Sequence, residues 1–238
     1  MCYEKRFSRR INQQNQGVFM LFKKKKDFSI RTMYNREMAT KKSNYTLLNQ
    51  KYALKNQTVL LGDSITDFFN YYELFYDFCK SSGQAVYNRG IGGDTSDRLL
   101  ERLNDNVLSI EPKNIVLLIG TNDISRGVPL SVSMQNLEKI ITDSKKICPD
   151  VNFIVEAVYP INESMRFRSD KRSNKKIHEM NNEFIKICKK HNCVWLDLCD
   201  KLSDEHGELN KDFTFDGLHI NAKAYEIIAE NVIPLLVK

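Results

Sequence analysis

At 238 residues, with 42% hydrophobic and 28% charged positions, the chain fits a soluble globular protein: one large domain with an appendage, or two small domains. Collagen-like, mucin-like and wholly disordered classes are excluded, and no run approaches the ~18 consecutive apolar residues of a membrane span. The net charge of +6 is unevenly spread: residues 1–55 hold 14 Lys and Arg against 3 Asp and Glu, so the remainder is acidic.

That opening stretch is expected to be a basic, disordered or loosely attached extension, dispensable for the chemistry, with one domain over 56–238. Val18–Phe22 is too short for a signal peptide's apolar region and runs into Lys23–Lys26, so a cytoplasmic protein is expected. From residue 58, short β-branched runs alternate with helical patterns. Strands are predicted over 58–61, 85–88, 114–119, 152–158 and 193–196. Helices are predicted over 65–79, 95–108, 131–147, 170–191 and 221–236. The run Ile115-Val116-Leu117-Leu118 reads as a strand buried on both faces. Such alternation predicts an α/β fold, a three-layer α/β/α sandwich whose five-stranded parallel sheet has flavodoxin-like order.

The six cysteines form no C-x-x-C pair, and the four histidines (178, 191, 206, 219) lie far apart. Cys79, Cys148, Cys188 and Cys193 are expected as buried reduced thiols. No metal site and no cofactor are expected.

Ligands of such sheets bind beyond the carboxyl ends of the strands. Gly62-Asp63-Ser64, Gly90-Ile91-Gly92-Gly93-Asp94, Gly120-Thr121-Asn122-Asp123 and Phe215-Asp216-Gly217-Leu218-His219 all fall there. Ser64 at a strand-to-helix turn fits a helix N-cap as well as an exposed nucleophile. Asp216 and His219 fit a cap beside a surface histidine as well as an acid orienting a base. An unperturbed imidazole, near pKa ~6.5, suits proton exchange at neutral pH. The glycine loop matches neither a dinucleotide fingerprint nor a P-loop, and Asp94 would repel phosphate. Gly93 is better suited to leaving a backbone N–H open to an oxyanion. Asn122 fits a turn brace or an amide donor.

Together, Leu61-Gly62-Asp63-Ser64, Gly92-Gly93-Asp94-Thr95-Ser96, Gly120-Thr121-Asn122-Asp123 and Asp216-Gly217-Leu218-His219 resemble the four blocks of the SGNH (GDSL-type) hydrolases. Asn88–Thr95 is similar to the platelet-activating-factor acetylhydrolase-like branch. The resemblance spans about residues 57–237; Ile65 stands where the family name has Leu, and residues 1–55 have no counterpart. It implies a flavodoxin-like α/β/α sandwich and metal-independent ester hydrolysis through an acyl-serine. Ser64 would be the nucleophile, His219 the base and Asp216 its orienting acid, with the Ser64 and Gly93 N–H groups and the Asn122 amide as oxyanion hole.

The expected function is therefore a serine esterase acting on short, acetyl-like acyl groups of a small molecule, lipid-like alcohol or carbohydrate. The alternative is a non-catalytic protein binding nucleic acid or an anionic membrane through the basic arm; the acidic body speaks against it. The oligomeric state is left open, a homodimer included. Specificity is expected from the loop Tyr159–Ser173 and from Phe68, Phe69, Tyr71 and Tyr72. Arg126, Arg166 and Arg168 are candidates for meeting an anionic substrate group, against a solvated face as the default.

Overall fold

The computed structural model describes residues 32–166 and 170–237. Five parallel strands, β1 (Thr58–Gly62), β2 (Val86–Gly90), β3 (Asn114–Leu118), β4 (Asn152–Glu156) and β5 (Val194–Leu196), form one sheet in the order β2-β1-β3-β4-β5. This is the flavodoxin-like order expected. Both β1 and β3 are buried along their full length, which explains their near-continuous apolar sequence.

Side chains alternate between two cores. Val59, Leu61, Ile115 and Leu117 face one cluster with Leu99, Leu137 and Phe184. Leu60, Val116 and Leu118 face the other with Phe75, Phe78 and Ile228. The first cluster is covered by helices α5 (Ser96–Asn106), α7 (Leu130–Ile147) and α8 (Asn174–Lys190), the second by α4 (Tyr76–Ser82) and α10 (Ala222–Val232). Each fully buried Leu or Ile here contributes roughly 1.5–3 kcal/mol relative to exposure. From β1 the chain crosses to β2 on one side, and β3 lies on the other. The loops after β1 and β3 therefore part around a crevice at the switch point.

Three expectations need correction. The helix predicted over 65–79 is three short ones, α2 (Ser64–Asp67), α3 (Tyr71–Leu74) and α4. The break is held from outside, because Asn88 Nδ2 on β2 donates to Thr66 O (2.6 Å) and Phe69 O (3.4 Å). It turns Phe69 into the second core, stacked on Tyr225 with centroids 4.5 Å apart. The helix predicted from Asp170 starts only at Asn174, with Ser173 Oγ accepting from Lys176 N–H. Two short helices, α6 (Thr121–Arg126) and α9 (Cys199–Leu202), stand where no helix was expected.

Residues 32–51 are helical (α1), and the compact unit that holds the sheet begins at Asn44. Within it Tyr45 Oη donates to Gly90 O (2.9 Å). The buried Asn49 accepts on Oδ1 from Arg89 Nε (3.2 Å) and Nη2 (2.7 Å). Removing residues 1–50 would leave that buried guanidinium without this acceptor, a loss of the order of 1–3 kcal/mol. The disorder expected for residues 1–31 lies outside the described residues, as do Cys2 and Arg168. Cys148 and Cys188 are buried free thiols, while Cys79, Cys193 and Cys199 are partly buried. No described helix is long and apolar enough to cross a membrane.

Candidate active site

The turn after β1 is tight because position 62 is glycine: a Cβ there would lie 2.2 Å from Thr66 Oγ1 and 2.5 Å from Leu118 O. Asp63 caps α2, its Oδ1 accepting from Ile65 N–H at 3.0 Å. The capping role is thus taken by Asp63. Ser64 is the first helical residue, and its Oγ lies 2.9 Å from His219 Nε2.

His219 Nδ1 lies 2.8 Å from Asp216 Oδ2, and Asp216 Oδ1 accepts from the Leu218 (3.0 Å) and His219 (2.8 Å) N–H groups. Thr214 Oγ1 closes this turn, donating to His219 O (2.7 Å) and accepting from Gly217 N–H (2.9 Å). Burial raises the Asp216 carboxyl, but the hydrogen bonds from the His219 N–H and ring outweigh it and hold it below the ordinary range. Asp216 is therefore held as a carboxylate against the ring. Phe68 and Phe215 flank the His219 ring at 5.2 and 5.9 Å.

Beyond β2, the chain passes close to the serine: a Cβ on Gly92 would be 3.8 Å from Ser64 Cβ. Gly93 adopts φ +74°, a left-handed conformation that favours glycine, and its carbonyl accepts from Arg126 Nη2 at 2.7 Å. The Ser64 and Gly93 N–H groups have no acceptor among the described residues. From α6, Asn122 is buried; its Nδ2 donates to Asp94 O (3.0 Å) and its Oδ1 accepts from Arg172 Nη2 (2.8 Å). Those two partners fix which end of the amide is which, and its second N–H has no acceptor among the described residues. The serine, histidine and aspartate, the Gly93 loop and Asn122 thus gather on one rim.

Below that rim lie buried carboxyls. Asp94 pairs with Arg102 at 2.7 Å, and burial nevertheless keeps its carboxyl above the ordinary range. Asp123 holds the start of α5 by accepting from Ser96 N–H (3.0 Å). Burial pushes Asp63 up to about 7, and its Oδ2 has no hydrogen-bond partner among the described residues. A carboxyl raised in the folded state keeps a proton that the unfolded chain has released. Its stabilisation is full below the usual 3.8 and is lost as the pH rises through about 7. In Asp63→Asn the cap acceptor is kept and this titration removed. Melting curves should show the Tm difference moving toward the variant between pH 4 and 7 and levelling off above; a pH-independent difference would contradict it.

Other sequence expectations fare unevenly. Phe68 is exposed beside His219, but Phe69 is core. Tyr71 and Tyr72 line a cavity of about 380 Å³ with Tyr45, Tyr87 and Arg89. Tyr159 and Ile161 are buried, Tyr159 Oη donating to Glu156 Oε1 at 2.5 Å, so the rim-forming part of the loop is shorter than Tyr159–Ser173. Arg166 is an internal ligand: its Nη1 donates to Asp216 O at 3.0 Å, and its Nη2 pairs with Asp170 Oδ2 at 2.8 Å. Sequence reading missed Arg172 and Asp170, which no motif contains.

Residues 60–227 match the GDSL-like lipase/acylhydrolase family. The chain belongs to this family. It is accordingly a carboxylic ester hydrolase, as the sequence led us to expect. Among relatives of this GDSL-like chain is an N-acylneuraminate cytidylyltransferase of Escherichia coli, 29% identical over 185 residues, which make up 75% of this chain but only 40% of that protein. The rat platelet-activating factor acetylhydrolase IB subunit alpha2 is 26% identical over 188 residues, 76% of each chain. A solved structure of a protein designated a platelet activating factor in Streptococcus pneumonia superposes with TM-score 0.79 at 28% identity, covering 87% of this chain and 96% of that one. A GDSL-like lipase from Bacteroides thetaiotaomicron shares the fold at TM-score 0.70 and 23% identity, over 82% and 96% of the two chains.

Proposed function

We propose that the protein hydrolyses short-chain, chiefly acetyl, esters through an acyl-serine intermediate. The observation that carries this reading is the unbroken relay from Ser64 Oγ through His219 to Asp216, at 2.9 and 2.8 Å. His219 Nε2 takes the hydroxyl proton as Ser64 attacks the ester carbonyl, and Asp216 holds the imidazole in the required tautomer. The carbonyl oxygen becomes an anion, received by the Ser64 N–H, the Gly93 N–H and the second hydrogen of Asn122 Nδ2. His219 then returns the proton to the leaving alcohol, and water repeats the sequence in reverse to free the acid. Every step is supplied by side chains and backbone, so EDTA should leave turnover unchanged.

Preference for a short acyl group is supported by the acetylhydrolase relatives and by a rim that Phe68 and Phe215 narrow around His219. The alcohol is a small molecule, a lipid-like alcohol or a carbohydrate. An acyl series of p-nitrophenyl esters, with acetylated sugars alongside, tests this: kcat/KM should be highest at acetyl or propionyl. A maximum at eight carbons or more would overturn the chain-length reading while leaving the hydrolase itself intact.

A further inference from the structure

We propose that Arg172 is a positioning residue for ester hydrolysis, holding the Asn122 amide so that one of its hydrogens faces the developing oxyanion. The inference rests on Asn122 being an oxyanion donor, as proposed above. A terminal amide turns about a broad, roughly two-fold torsion, and its two ends differ little in size. Its contacts must therefore decide which end meets the substrate. Here Arg172 Nη2 donates to Oδ1 at 2.8 Å, and Nδ2 gives one hydrogen to Asp94 O at 3.0 Å. A flipped amide would set donor against guanidinium and carbonyl against carbonyl, and would turn an oxygen lone pair toward the oxyanion.

The guanidinium that does this is itself immobilised. Its Nε donates to Thr121 O (3.0 Å) and Thr121 Oγ1 (3.1 Å), and Nη1 donates to both oxygens of Asp170 (3.1 and 3.0 Å). Thr121 starts the same helix that carries Asn122, so fork and amide form one rigid unit. Arginine suits this place because three of its nitrogens reach three partners in a fixed plane. Its charge also draws electron density toward Oδ1, making the remaining Nδ2–H a stronger donor. Asp170, which anchors the fork, also binds Arg166, whose Nη1 holds Asp216 O. One carboxylate therefore steadies the segments that carry the amide and the acid of the relay.

The test is a double-mutant cycle on p-nitrophenyl acetate, with kcat, KM and Tm measured for Arg172→Ala, Asn122→Ala and the pair. Arg172→Ala should lower kcat by about 10–100-fold, the cost of a misplaced group in an organised site, with KM changed by less than about twofold. In the Asn122→Ala background the same change should lower kcat by less than about twofold, because the amide it positions is gone. Arg172→Lys keeps the charge and one donor, should recover part of the lost kcat, and carries the same cycle if the alanine variant does not fold. A kcat within about twofold of the parent in Arg172→Ala, or an equal loss with and without Asn122, would overturn the proposal. If Asn122→Ala itself leaves kcat unchanged, the oxyanion reading falls first, an outcome distinguishable from failure of the arginine alone.

Discussion

Replacing Ser64 by alanine is expected to lower kcat by at least about 10⁴-fold while leaving the fold intact. If Ser64 is the acylated nucleophile proposed above, its loss removes the covalent route altogether, and the residual rate is what oxyanion donors and binding supply alone. Stability should change little. Among the described residues the hydroxyl's hydrogen-bond partner is His219 Nε2 at 2.9 Å, and a single such bond contributes about 0.5–1.5 kcal/mol net. For a domain of this size that is a Tm change of only a few degrees, at about 2–4 °C per kcal/mol. The cap of α2 is untouched, since Asp63 supplies it. A serine-directed phosphonate followed by peptide mass spectrometry should find the adduct on Ser64. An adduct elsewhere, or a variant with parental turnover, would remove Ser64 from the mechanism.

How far the sequence could be read depended on whether the deciding contacts were local. β3 was legible because Ile115 to Leu118 are buried on both faces, and parallel central strands leave no polar side to alternate. The four rim segments were legible because each follows a strand or precedes a helix, where topology alone brings them together. What could not be read was set by side chains arriving from elsewhere. Nothing between Ser64 and Ser82 announces a break; it is Asn88 on the neighbouring strand that satisfies the carbonyls of Thr66 and Phe69. Arg172 lies 50 positions from its partner Asn122, in a loop without a motif. Basic composition hid the role of Tyr45 and Asn49, two uncharged residues that contact β2. Ser64 and Asp63 show the subtler case, in which two neighbouring residues suit one cap and only geometry assigns it.

Asn122→Ala should lower kcat by about 10²–10³-fold, or ~2.7–4 kcal/mol of transition-state stabilisation, with KM little changed. In the proposed mechanism the amide meets charge that exists only once Ser64 has attacked, so its loss should be felt in the transition state more than in substrate binding. The alanine variant also strips an acceptor from Arg172 Nη2 and a donor from Asp94 O, so it should melt earlier as well. A fall in Tm therefore does not separate a donor from a brace. Asn122→Asp does: a carboxylate of nearly the same shape keeps the Arg172 contact as an ion pair, but has no hydrogen to give and repels the oxyanion. If Asn122 were only a brace, the aspartate variant would retain most of its kcat at a temperature well below its Tm. If it is a donor, that variant should be at least as slow as alanine, however well it melts. Measuring kcat and Tm for both variants, from the same preparations and at low temperature, gives opposite orders for the two roles.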